Sequence, residues 1–418
     1  MTPSPTGADS EREGMKRSNN ASICDHTSFS EAGRRSSNRA WRYPWCRFAT
    51  VFVAVFCLLS AACPAETGGP LAQKPAPPGP PASGPGAPAY LHARTERLWQ
   101  GAGEEAFLLV TPADPVPASA PLVVLLHGWL GINPRGQGAW IEHLVRRGNI
   151  VVWLVYQTGR MQVREPVSHA VAALKRALAE LEKPGRVRPR PDGMVLAGHS
   201  LGGCMAMNLA AVATREGLPK PLAVLSVEGA DAQGSESAKR LHLRPKSLIE
   251  DLTLIPSGTM LLTLIGDEDR RVTLERGRVF HDWATGVASA DNVIALVRSD
   301  RHGEPPMVAD HFFPQAADIS YDIDGATGRP PAPSRFPKLK QLAGKAFARL
   351  LGAPGLERDA VRPPDALDWW VTWRCLDRLI DAAFHGGSRD EALLRTPGSR
   401  ATGVWSDGTP AEPLNPIE

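Results

Sequence analysis

DGMVLAGHSLGGCMAMNLAAVATR, Asp192 to Arg215, decides the fold. Its first half is a short apolar run ending in glycine and histidine, and its second half carries apolar residues at helical spacing. The sequence therefore predicts a buried strand that gives way to a helix within the segment GHSLGG, Gly198 to Gly203. A turn that sharp forces the central serine into strained backbone geometry, and glycines two before and two after it relieve the crowding. The hydroxyl of Ser200 is lifted clear of the sheet, where the start of the helix favours developing negative charge. Ser200 is the candidate nucleophile.

The same alternation extends in both directions. Apolar runs at 121–129, 149–157, 221–229, 259–266 and 292–299 read as strands covered on both faces. Amphipathic segments at 138–148, 167–183 and 365–384 read as helices. Strands alternating with helices imply an α/β fold with a mostly parallel central sheet flanked by helices. Trp369, Trp370 and Trp373 fall on the last helix and read as core.

A serine nucleophile needs a base, and the base needs an orienting carboxylate. The strand at 259–266 runs out into Asp267, Glu268 and Asp269, with Glu228 and Asp231 beyond the preceding strand as remoter acids. Two histidines follow the last strand: His302 in SDRHG and His311 in ADHFFP.

GHSLGG, the upstream His127-Gly128-Trp129 and the downstream GDED and SDRHG segments together resemble the α/β-hydrolase superfamily, in particular its lipase, esterase and cutinase-like serine hydrolases. The resemblance covers about 122–302. It implies an α/β-hydrolase fold and a triad in the chain order Ser, Asp, His. The acid of these enzymes stands three residues after the strand-ending glycine, which selects Asp269, with Asp267 the nearest rival. Their histidine lies a few residues past the last strand. His302 is five after Val297 and His311 fourteen, so His302 is the expected base, with His311 the rival. The resemblance also implies an oxyanion hole from the backbone N–H groups of Trp129 and Leu201. His127 reads as a structural residue bonding loop backbone.

The implied reaction is cleavage of carboxylic esters, on a small-molecule or lipid-like substrate, through an acyl-enzyme intermediate. The same residues serve an amide or thioester hydrolase or an acyltransferase, and a non-catalytic cell-surface binding module on this scaffold is the third reading. No zinc-type ligand spacing and no phosphate-binding glycine loop is present, and no cofactor or metal is expected.

The chain of 418 residues carries a net charge of +3. Residues 1–47 hold eight basic side chains against five acidic, so this segment contains the entire surplus and 48–418 is balanced. A balanced body gives no basic footprint for nucleic acid. Residues 1–47 read as a disordered polar leader, with Met15 an alternative start to Met1. Arg42 and Arg47 precede the uncharged run Phe48–Ala62 and then Cys63. A basic flank, an apolar stretch of that length and a small-residue exit describe an export signal, and Cys63 resembles the lipidated cysteine of a bacterial lipoprotein. The protein is thus expected outside the cytoplasm, membrane-anchored through Cys63 or secreted.

From Pro70 to Pro88, eight of nineteen residues are proline, and 64–90 reads as a semi-rigid linker before a domain at 91–418. The insert 231–256 is a candidate lid. The tail after Phe384 is irregular, and its turn-forming residues suggest that it folds back near the site. Cys204 and Cys375 read as buried thiols on helices covering opposite sheet faces.

Overall fold

The computed structural model describes residues 74–157, 165–231, 249–324, 327–329 and 362–417. All of them belong to one unit, Ala72–Glu418. The leader, the export-signal region with Cys63, residues 64–73, most of the candidate lid and the stretch 330–361 lie outside the described residues.

Strands β1 (Arg94–Gln100), β2 (Phe107–Ala113), β3 (Ser119–Leu126), β4 (Ile150–Leu154), β5 (Arg188–His199), β6 (Pro221–Val227), β7 (Met260–Gly266), β8 (Asn292–Val297) and β9 (Asn415–Ile417) form one sheet. Its order is β1-β2-β4-β3-β5-β6-β7-β8-β9. The six strands from β4 across to β8 are mutually parallel. At one edge β1 and β2 pair antiparallel, and at the other β9 pairs antiparallel with β8. The sheet is the expected mostly parallel one. The antiparallel edge strands are additions that the apolar runs did not announce.

The strands of the parallel block are buried on both faces because helices cross over on both. Along β3, Leu122, Val124 and Leu126 point to one face and Val123 and Leu125 to the other. The first face is covered by α2 (Pro166–Leu181) and α3 (Leu201–Glu216), through residues such as Leu174, Met205 and Leu209. The second is covered by α1 (Gly138–Arg146) and α5 (Trp373–Phe384), through Trp140, Leu144, Leu376 and Leu379. Helix α4 (Leu274–Trp283) links β7 to β8 and sends Phe280 into the first face. Cys204 lies on α3 and Cys375 on α5, so the thiols are buried and free on opposite faces of the sheet. Among the described residues no helix is long and apolar enough to cross a membrane.

One turn of π-helix, Asp368–Thr372, precedes α5. Trp373 is buried and stacks on His143 at 4.4 Å. Trp369 and Trp370 are only partly buried, and Trp370 donates its indole N–H to the carbonyl oxygen of Gly79 at 2.7 Å.

That contact belongs to the described part of the segment read as a semi-rigid linker, residues 74–90. These residues are fastened to the domain. The N–H of Gly86 meets Asp377 Oδ2 at 2.7 Å, Ser406 N–H meets the Ala76 carbonyl at 3.0 Å, and Ala87 is fully buried. Proline cannot donate to a sheet, so this segment is held by carbonyls that accept from side chains and loops and by the N–H groups of its non-proline residues Ala76 and Gly86.

Register brings the C-terminal ends of the parallel strands to one edge. Leu126 lies beside Gly198, His199 beside Val227, and Gly266 beside Val297. Loops leaving these ends carry every candidate site residue, at the edge where open α/β sheets bind ligands.

Candidate active site

Ser200 sits between β5 and α3 with φ 56° and ψ −124°, a conformation costing on the order of 1–3 kcal/mol for a residue with a side chain. The surrounding glycines are there because nothing larger fits. A Cβ on Gly198 would lie 2.1 Å from the carbonyl oxygen of Gly202, and one on Gly202 2.1 Å from that of Leu126. The serine N–H donates to Val227 at 2.9 Å, which ties the turn to the neighbouring strand.

Asp269 is reached by a turn after β7 and is buried. Its Oδ1 accepts the N–H groups of Arg271 at 2.6 Å and Val272 at 2.9 Å, leaving Oδ2 free to face across the loop. The two preceding acids serve the loop itself. Asp267 Oδ1 accepts from the Ser299 N–H and hydroxyl, and Glu268 pairs with Arg301.

His311 completes the arrangement. Its Nδ1 donates to Asp269 Oδ2 at 2.7 Å, and its Nε2 lies 3.1 Å from Ser200 Oγ, placed to accept the hydroxyl proton. A carboxylate at Nδ1 fixes the tautomer that leaves Nε2 as the acceptor. Ser200, His311 and Asp269 are therefore brought together, and His302 is not.

The expectation for His302 is corrected. Its Nε2 meets Asp407 Oδ2 at 2.7 Å, its ring stands edge-on to Trp405, and 37% of its side chain is exposed. The chain makes an excursion after β8 that counting along the sequence cannot see. Asp300 and Met307 bond to each other across a bridge, each N–H to the other's carbonyl at 2.8 Å, so residues 301–306 loop out and return. Asp300 closes the base of the excursion by accepting from the N–H groups of His302, Trp405 and Glu412. Only then does the chain run back along the acid loop, with Glu268 N–H bonded to the Ala309 carbonyl, and deliver His311. The turn formers in DRHGEPP were the available signal.

Two further histidines at the site, His199 and His127, bond to backbone carbonyls. His199, the residue before the nucleophile, donates its Nε2–H to the carbonyl oxygen of His311 at 2.6 Å. Burial, reinforced by the neighbouring His311, pushes its pKa down to about 3. His127 donates Nδ1–H to the Gly128 carbonyl at 2.7 Å and stacks on Tyr156 at 4.4 Å, and burial pushes it down to about 4. It has the backbone-bonding place expected of it. Tyr156 in turn donates its hydroxyl to the His127 carbonyl. Leu130, in the left-handed region at φ 61°, gives its N–H to Gln157 Oε1 at 3.1 Å, fixing the loop that carries Trp129.

Glu228 follows β6 with φ 54° and is fully buried. Its Oε1 accepts the Gly266 N–H at 2.7 Å, and its Oε2 lies 3.4 Å from His311 Nδ1. Donor atoms of Glu228, Asp269 and His311 thus fall within 4.8 Å of one another. Asp269, His311 Nδ1 and Glu228 Oε1 are already engaged in hydrogen bonds to one another or to backbone, and Glu228 Oε2 is not.

A cavity of about 210 Å³ opens on Ser200 and His311. Trp129, Leu201, Arg271 and Phe312 are among its lining residues, with the Arg271 guanidinium 4.7 Å from the centre of the Phe312 ring. The arrangement can activate a hydroxyl for attack on an electrophilic carbon held in this cavity.

No family model and no curated protein matches the chain. Among solved structures it is similar to a hyperthermophilic esterase from the archaeon Pyrobaculum calidifontis, at 18% identity and a TM-score of 0.38, covering 50% of this chain and 75% of that one. A monoclinic form of a Pyrobaculum calidifontis esterase gives 18% identity and a TM-score of 0.37, over 50% of this chain and 76% of that one.

Proposed function

We propose that the chain is a serine hydrolase of the α/β-hydrolase fold that cleaves carboxylic esters, with Ser200 as nucleophile, His311 as base and Asp269 as the orienting acid. The observation carrying this reading is the continuous relay from Ser200 Oγ through the imidazole to Asp269, 3.1 Å and then 2.7 Å, at a strained strand-to-helix turn. A binding module has no use for a serine held in strained backbone and aimed at a base.

In the proposed reaction His311 Nε2 takes the hydroxyl proton as Ser200 Oγ bonds to the ester carbon. The imidazolium so formed is stabilised by Asp269 and returns the proton to the leaving alkoxide. The acyl group stays on Ser200 until water, deprotonated by the same imidazole, releases the acid. The backbone N–H groups of Trp129 and Leu201 are the proposed donors to the oxyanion. Both residues line the cavity beside Ser200, and the Leu201 N–H opens a helix whose first N–H groups have no intrahelical partner. Such donors gain strength as charge develops, so they lower the barrier rather than merely binding substrate.

Hydrolysis of p-nitrophenyl esters of graded acyl length by the full chain tests the proposal. Turnover that vanishes in Ser200→Ala supports it, and the chain length preferred reports which esters the cavity accepts. No turnover of any ester by the wild type would overturn it.

A further inference from the structure

We propose that Glu228 is a second positioning carboxylate for His311, acting beside Asp269, so that the imidazole keeps an anionic partner when either acid is lost. This rests on the reading of Ser200 and His311 given above. Glu228 reaches the ring from β6 while Asp269 reaches it from β7, so the two acids approach one Nδ1–H from different strands.

The geometry divides the Glu228 carboxylate into two jobs. Oε1 holds the Gly266 N–H, at the root of the loop that carries Asp269. Oε2 is buried, has no hydrogen-bond partner among the described residues and stands 3.4 Å from His311 Nδ1. A buried carboxylate oxygen without a partner is costly unless a positive charge comes to it. The proposed reaction supplies that charge at the moment His311 takes the serine proton. A neutral imidazole offers its single Nδ1–H to Asp269 and gives Glu228 little. An imidazolium spreads its charge over the ring, and both carboxylates then stabilise it. The contribution of Glu228 is therefore larger in the transition state than in the resting site, which is the condition for it to affect rate.

Other charged or titratable groups near the ring do not duplicate this part. His199 faces His311 at 5.0 Å between ring centroids and donates to its backbone. Asp310 is paired with Arg362, and Arg271 lies over Phe312.

The test uses the full chain as wild type, Glu228→Gln, Asp269→Asn and the double variant. Two quantities are followed against pH: the rate of Ser200 labelling by a fluorophosphonate, and the titration of the His311 ring by NMR in protein carrying 13C-histidine. Glutamine keeps the Gly266 acceptor and the side-chain shape, and thermal unfolding checks that each variant folds. The expected result is that Asp269→Asn keeps labelling within about 100-fold of wild type, while the double variant falls by about 10,000-fold, the loss typical of a triad left without its acid. Removing an anion beside an imidazolium disfavours the charged ring, so Glu228→Gln shifts the ring titration and the acid limb of labelling to lower pH. The double variant shifts them furthest, by roughly one unit or more.

A fall of about 10,000-fold in Asp269→Asn alone, with no effect of Glu228→Gln on rate or titration in either background, would overturn the proposal. Should the glutamine variant fail to fold, Asp269→Asn by itself decides on the same threshold. Absence of labelling in wild type would instead sink the serine-hydrolase reading, and the ring titration would still decide for Glu228.

Discussion

His199 donates its Nε2–H to the carbonyl oxygen of His311 at 2.6 Å, so the residue before the candidate nucleophile holds the backbone of the candidate base. This bond exists only while His199 is neutral in that tautomer or charged at great cost, and burial depresses its pKa to about 3. His127, across the serine turn, is likewise depressed to about 4. Both rings are ordinary in the unfolded chain, near pH 6.5. Between roughly pH 6.5 and 4 the unfolded state therefore binds more protons than the folded one, and stability falls as pH falls through that window. Each histidine contributes a slope of about 1.4 kcal/mol per pH unit well inside it. Urea midpoints measured from pH 7 to 4.5 check this, with His199→Asn expected to remove about half of the slope that the pair contributes. An unchanged slope in that variant would show that His199 is not buried neutral.

Trp405 and Asp300 join the C-terminal tail to the loop that delivers His311. The indole N–H meets Asp300 Oδ2 at 2.9 Å, and Trp405 is buried. The tail folds back as its composition suggested, but onto this loop and the edge of β8; none of its residues lines the cavity. Trp405→Phe removes one donor from a buried carboxylate, at a cost of about 1–3 kcal/mol in chemical denaturation. Labelling of Ser200 slows with it, because the loop is less firmly returned toward β7. Wild-type stability in Trp405→Phe would mean that the tail is only laid on the surface.

Asp377 fastens residues 74–90 to the domain from inside. Its Oδ2 accepts from Gly86 N–H at 2.7 Å and lies 3.0 Å from His143 Nε2 and 3.2 Å from Arg147 Nε. Burial opposes its ionisation, but His143 and Arg147 outweigh that and hold its carboxyl below the ordinary range. The stability it contributes is present above about pH 4 and is lost as pH falls further. Asp377→Asn takes from Arg147 its carboxylate partner, leaving it the Gly84 carbonyl, and costs about 3–5 kcal/mol at neutral pH. Limited proteolysis then cuts within 74–90 faster than in wild type; equal protection would show that the prolines hold the segment unaided.

The parts of this molecule that sequence made legible are those fixed by short-range chemistry. Ser200 was readable as a candidate because strand, glycines and helix all lie within one segment, whereas Asp269 was singled out from Asp267 and Glu268 only by the spacing that the α/β-hydrolase resemblance implies. The choice between His302 and His311 was not readable by counting from Val297. A bridge between Asp300 and Met307 removes the intervening residues from the path, and its partners Trp405 and Glu412 lie more than a hundred positions away. Glu228 was visible as an acid at a strand end, but its distance from His311 depends on the register of β6 against β7. β1, β2 and β9 pair antiparallel at the sheet edges, and proline-rich 74–90 is held by side chains of the last helix and tail. Both features depend on residues distant in sequence.

The most direct test of the central claim is fluorophosphonate labelling of the full chain as wild type, Ser200→Ala, His311→Ala and His302→Ala. The relay from Ser200 to Asp269 predicts labelling of wild type, none in Ser200→Ala, a rate lowered by about 1,000-fold or more in His311→Ala, and a rate within about threefold of wild type in His302→Ala, whose pair with Asp407 is solvent-exposed. Labelling that survives Ser200→Ala, or that is lost in His302→Ala while His311→Ala retains it, would contradict the account.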